Sequence, residues 1–183
     1  ALELVSNNVI EPWLYGASRV LIGNGKLRGD GSVGAWAAAA AQKYGVLRAD
    51  APGVPAYSGN VARQWGSKPG PPEEFKEAAK PFTVQTVAKM RNADDVMNAN
   101  CNGYGVSIAS DAGFLMTPPL VDGCRLNRRS GTWNHQMSAV GYDGETWGEP
   151  RFYVLNSWGP NAHGTPGGDE PPVLLPAQRL QRA

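Results

Sequence analysis

Hydrophobic and polar positions alternate most cleanly in two short runs near the C-terminal end of the chain. Met137, Ala139 and Gly141 interleave with Ser138, Val140 and Tyr142, and Phe152 and Val154 interleave with Tyr153 and Leu155. Alternation of period two predicts paired strands, and Asp143-Gly144 between the runs is a short hairpin signal. An antiparallel hairpin would put His135, at the head of the first run, at the same end as Asn156, which closes the second. Upstream, SVGAWAAAAAQKYG (32–45) predicts an alanine-rich helix, with Ser32 as N-cap and Gly45 as C-cap. A second helix is predicted over Asn92–Cys101, stopped by Asn102-Gly103. Pro72 opens a short one with an acidic start, PEEFKEAAK.

The remaining segments read as follows. Residues 1–22 form an extended arm ending in a strand over Arg19–Ile22, and 23–31 is a glycine-spaced loop. Residues 46–72, broken by Pro and Gly, form an ordered loop layer. Residues 81–87 are extended, Tyr104–Ala109 is a strand and 110–133 a loop. Val173–Leu175 is an apolar run within a Gly/Pro-rich tail.

Composition narrows the class. The 183 residues include 23 glycines and 15 prolines, above the average share of roughly 12%, which favours a loop-rich fold with short strands over a helical bundle. Net charge is +1, from 17 basic and 16 acidic residues, with no run of one sign. That gives no footprint for nucleic acid or an anionic membrane surface. No apolar run is long enough to span a bilayer, no secretory leader is read at the start, and the compartment stays unassigned.

Each small motif has a bland reading. The 23–29 loop, G-N-G-K-L-R-G, is one residue too long for a dinucleotide fingerprint and lacks its crossover pattern. Arg28-Gly29-Asp30 spells an integrin-type tripeptide, a triplet that also arises by chance. Ser32 in D-G-S-V-G imitates a nucleophile elbow but lacks its first glycine. The two histidines, His135 and His163, have no metal-ligand spacing with Asp143, Asp169 or the cysteines, so no metal or cofactor is expected. Cys101, within the second helix, reads as a core thiol. Cys124, in a loop eleven positions before His135, needs a cationic or histidine neighbour to be reactive. Either two reduced thiols or one bridge would fit two cysteines.

The combination H-Q-M-S-A-V-G-Y at 135–142 with N-S-W-G at 156–159 resembles the second half of a papain-family cysteine peptidase. There a general-base histidine opens a strand H-A-V-x-A-V-G-Y and an orienting asparagine opens N-S-W-G. The likeness is concentrated over 93–161, with N-G-Y-G-V-S-I-A at 102–109 matching the family's x-x-P-V-S-V-x. Gly31-Ser32-Val33-Gly34-Ala35-Trp36-Ala37 is similar to the family's G-S-C-W-A-F-S. The resemblance implies an α+β papain-like fold, with a central N-terminal helix packed against a twisted antiparallel sheet or partial barrel. It implies a single domain with a helix-and-loop lobe over 1–92 and a sheet lobe over 93–183. His135 would be the base, Asn156 its orienter and Trp158 the shield of their hydrogen bond, and a cleft would be lined by Val33, His135 and Asn156.

The departure from the family is chemical. Val33 fills the nucleophile position and offers no lone pair for acyl transfer. Leu27 fills the oxyanion-hole glutamine position, six residues earlier, and no cysteine lies between residues 1 and 100. The expected function is therefore a pseudopeptidase, more a non-enzyme than an enzyme. It would be a structural or protein-binding module similar to the small prodomain-free papain-like modules of bacteria and bacteriophages. Its partners would be other subunits of an assembly such as a virion, or a peptide-like ligand. One alternative is a thiol hydrolase using Cys124 or a cysteine from elsewhere. Another is a peptide- or glycan-binding domain using the old substrate cleft, with Trp36, Trp133 and Trp158 as stacking surfaces and Trp36 and Trp158 as substrate-contacting positions. The family adds strands after N-S-W-G, so a further C-terminal segment is expected.

Overall fold

The computed structural model describes residues 8–144, 146, 148–156 and the backbone of 173–176. It divides into two compact units, Ala1–Ala88 and Lys89–Ala183.

The first unit is helical. Its helices are α1 (Glu11–Gly16), α2 (Gly34–Tyr44), α3 (Gly59–Trp65) and α4 (Phe75–Ala79), with a 3₁₀ turn at Lys80–Phe82. The expected strand at Arg19–Ile22 is absent. Instead α1 continues as a wider π-helical segment, Ala17–Ile22. The reason is a helical stripe: Trp13, Ala17 and Val20, at i, i+4 and i+7, are all buried, and burying them on one face requires a helix. The expected loop layer over 46–72 also contains α3. Ser58 caps it by accepting from the Val61 N–H at 3.1 Å, and Val61 and Trp65, one turn apart, face the core.

That core gathers Ile10, Trp13, Leu47, Trp65, Phe75 and Ala79. Trp13 is fully buried and donates its indole N–H to the Gly45 carbonyl at 3.0 Å. Gly45 ends α2 at φ +78°, where a Cβ would lie 2.1 Å from the Ala79 carbonyl oxygen. Only glycine meets both demands there.

The second unit pairs one helix, α5 (Ala93–Cys101), with a six-stranded sheet. The strands are β1 (Val106–Phe114), β2 (Leu120–Val121), β3 (Cys124–Leu126), β4 (Arg129–Asp143), β5 (Arg151–Leu155) and β6 (Val173–Pro176). Their spatial order is β1-β4-β5-β6-β3-β2. The sheet does not close into a barrel, and β3–β6 is a parallel pair among antiparallel ones. The segment read as a loop over 110–133 thus holds the end of β1, all of β2 and β3, and the start of β4. Its tight turn is Asp122-Gly123, both at positive φ, the geometry that Asp-Gly supplies between twisted strands.

Asn92 starts α5 by accepting from the Asp95 N–H at 2.9 Å, and Asp94 and Asp95 in the first turn complement the helix dipole. One face of the sheet, with Phe114, Ala139, Phe152 and Val154, packs on Ala93 and Val96 of α5. The β4–β5 register runs from Ser138↔Leu155 to Asp143↔Arg151, with a bulge that leaves Val140 exposed. Beyond Asp143 the connection is longer than a two-residue turn, and the Asp143 carboxylate accepts from the Thr146 N–H at 2.9 Å.

Candidate functional site

His135 lies on β4 opposite Ser110 of β1, and Asn156 follows the last residue of β5. Because Ser138 pairs with Leu155, the hairpin carries both side chains to the same end. There His135 Nε2 and Asn156 Oδ1 are 2.7 Å apart, partly buried. An amide oxygen can only accept, so the proton of this bond sits on Nε2. The amide therefore sets both the tautomer and the ring plane. Trp133, two residues earlier on the same strand face, stands edge-on to the imidazole with centroids 5.9 Å apart at 76°. Trp158, the expected shield, lies outside the described residues, as do His163 and Asp169. Trp133 is the aromatic neighbour of His135 that the sequence reading did not assign. Period two from His135 along β4 is the signal that finds it.

In the first unit Val33 occupies the N-cap of α2 in an extended conformation (φ −105°, ψ 126°) and makes no side-chain cap. Its carbonyl accepts from the N–H groups of Trp36 and Ala37, and the residue is 38% exposed. Ser32 is not the cap. Its hydroxyl lies 2.7 Å from that of the fully buried Ser18, so a contact from the π-helical segment competes with the capping role. Leu27 is half-buried in the preceding loop and its carbonyl accepts from Arg19. Trp36 packs its ring over Gly23, where an added Cβ would come within 2.5 Å of the indole.

Both cysteines are free thiols, and both differ from expectation. Cys101 is exposed as the last residue of α5, and its Sγ lies 3.6 Å from the Tyr142 hydroxyl. That bond, with the thiolate's charge, pushes the Tyr142 hydroxyl above its ordinary pKa. Cys124 opens β3 opposite Val121 and is half-buried. The Tyr153 hydroxyl is raised by burial first, then by the Asp143 carboxylate and the Cys124 thiolate. Among the described residues no three His, Cys, Asp or Glu side chains gather as a metal site, and no helix is long and apolar enough to cross a membrane.

Two units of this composition, one helical and one a sheet with a His–Asn pair on its hairpin, define a papain-like fold. Among solved structures the chain is similar to xylellain, a cysteine protease from Xylella fastidiosa. The TM-score is 0.63 at 15% identity, over 95% of this chain and 65% of that one. The chain therefore spans just under two thirds of that protein's length. No family model and no curated protein matches the sequence.

Proposed function

We propose that this chain is a papain-like pseudopeptidase, a module that keeps the fold and its His–Asn frame and works by binding protein rather than by hydrolysis. The observation that carries the reading is the side chain at the start of α2. Val33 stands at the helix N-cap where the papain resemblance puts the nucleophilic thiol. His135 and Asn156 meanwhile keep a 2.7 Å bond suited to orienting a base. A base and its orienter without a nucleophile cannot form an acyl-enzyme. Leu27, in place of an amide donor, removes the side chain that would stabilise a developing oxyanion. The partners that fit are other subunits of a larger assembly, such as a virion, or a peptide-like segment.

Thiol hydrolysis by Cys124 is less well supported. The thiol lies near Tyr153, which pairs with Gly141. The ladder sets Arg125 level with Val173, Val154 and Ala139, so β5 and β6 stand between Cys124 on β3 and the strand that carries His135, a separation of about 14 Å at roughly 4.8 Å per strand.

The test is an epoxide thiol probe at neutral pH with mass mapping of the labelled residue, run beside a fluorogenic peptide panel. The expected result is no turnover, and modification of Cys124 only after denaturation. Rapid labelling of Cys124 in the folded chain, with turnover lost in C124A, would overturn the proposal.

A further inference from the structure

The loop that leads into α2 carries a second surface, unrelated to the His–Asn pair. Its anchor is Arg19, which is 94% buried (6% exposed) in the π-helical segment. Its guanidinium lies over the Tyr15 ring at 5.2 Å. Nε donates to the Gly66 carbonyl at 2.9 Å, Nη2 to those of Leu27 at 3.2 Å and Gly29 at 2.7 Å, and Nη1 to that of Gly31. Three of these acceptors are alternate residues of one loop. In a trans peptide the N–H points opposite to the carbonyl. Turning the carbonyls of 27, 29 and 31 inward therefore turns the N–H groups of Arg28, Asp30 and Ser32 outward.

Gly29 and Gly31 sit at φ +74° and +93°, and a Cβ at either would meet nothing within 4 Å. The backbone demands glycine there while the surroundings are open. Arg28, Gly29 and Asp30 are all exposed. Among the described residues, neither the Arg28 guanidinium nor the Asp30 carboxylate makes a hydrogen bond or ion pair. Two opposite charges flank a glycine on a backbone already clamped from beneath, so the cost of ordering the loop on binding is largely met beforehand.

We propose that this loop is a docking site for a metal-dependent adhesion receptor of the integrin type. The Asp30 carboxylate would complete the oxygen shell of the receptor's divalent cation, and Arg28 would enter a carboxylate-lined pocket, where a guanidinium can bond in bidentate fashion. Arg19 is the positioning residue. The proposal is independent of whether the chain hydrolyses peptides.

The test uses the full chain immobilised on a sensor and the purified ectodomain of an integrin that reads Arg-Gly-Asp, in the presence of Mn²⁺. Saturable binding is expected, abolished by chelation and weakened at least tenfold by D30E and by R28A, with the thermal unfolding of both variants unchanged. A linear peptide spanning residues 26–32 is expected to bind at least tenfold more weakly than the folded chain. No saturable binding by the wild type, or undiminished binding by D30E, would overturn the docking site. Equal affinity of the linear peptide would overturn the role given to Arg19.

Discussion

Replacing Val33 with cysteine restores the missing atom at the place where the papain resemblance puts it. The local structure sets the size of the effect. α2 has eleven residues, no acidic residue in its first turn and no side-chain cap at position 33. Its uncompensated N-terminal dipole therefore acts on whatever side chain stands there. A helix N-terminus favours a negative charge by about 0.3–1 kcal/mol at an exposed site, and one pKa unit corresponds to about 1.36 kcal/mol. Starting from about 8.5 for a free thiol, α2 alone should bring the V33C thiol to about 7.8–8.3. The assay is the pH dependence of the alkylation rate at that thiol, measured in V33C with Cys101 and Cys124 replaced by serine. Running V33C/H135A in parallel isolates any imidazolium contribution, since thiols paired with a histidinium fall to roughly 3.5–7.5. Identical values in the two variants assign the whole shift to α2, and a lower value in V33C alone assigns the difference to His135. A thiol titrating at or above about 8.5 would refute the placement of residue 33 at an uncompensated helix terminus.

Other expectations follow from the same structure. W13F removes the buried indole bond to Gly45 and leaves that carbonyl unpaired. It should cost about 1–3 kcal/mol in urea unfolding with an unchanged m-value, and a loss within error of zero would contradict the burial. The Asp50 carboxyl is held at about 2, first by its hydrogen bond to Arg48. Its folded pKa lies below the unfolded value, so the stabilisation is complete above about pH 4 and disappears as the pH falls towards 2. The wild-type Tm advantage over D50N should shrink to nothing across that window, and a pH-independent difference would refute the pairing. Lys89 lies in an exposed stretch without regular structure, whereas Lys43, Arg63 and Lys76 are helical, Lys68 and Lys80 precede proline, and Arg28 is on the clamped loop. Among the described residues, the first cut by dilute trypsin should fall at Lys89–Met90 or at Arg91–Asn92 in the same exposed stretch, as N-terminal sequencing of the fragments would read. A first cut after Lys26 or Arg28 would show that the loop is not clamped.

How much of this was legible in the sequence depended on whether local pattern or distant contact decided each element. The hairpin carrying His135 and Asn156, the helix ended by Gly45 and the helix capped by Asn92 follow rules that act over a few residues, and those rules found them. Arg19–Ile22 looked like a strand because three apolar side chains adjoin. Its helical state is set by Ala17 and Trp13, one and two turns back from Val20 and buried with it, a burial that sequence proximity does not display. β2 and β3 were hidden because each is only two or three residues long: β2 pairs with the adjacent β3, and β3 is held in the sheet by a partner far along the chain, Arg125 with Val173. Cys101 is helical as expected, but it is the last residue of α5 and exposed there, which its spacing from Ala93 and Met97 does not display. The site's chemistry was readable as residue types, but the edge-on Trp133 and the Ser18–Ser32 pair depend on side-chain direction.

The position of β6 has a consequence for biogenesis. It is the last of the described strands, yet it lies inside the sheet, hydrogen-bonded to β5 on one side and β3 on the other. Until residues 173–176 leave the ribosome, β3 and β5 present unpaired edges, which are templates for intermolecular pairing. At roughly 5–20 residues per second, β5 waits about one to a few seconds for its neighbour. During that interval the nascent sheet is two separate pieces, β1-β4-β5 and β2-β3. The final step in folding of the second unit thus waits for β6, and a chain stopped shortly after Asn156 would emerge with both sticky edges permanently exposed.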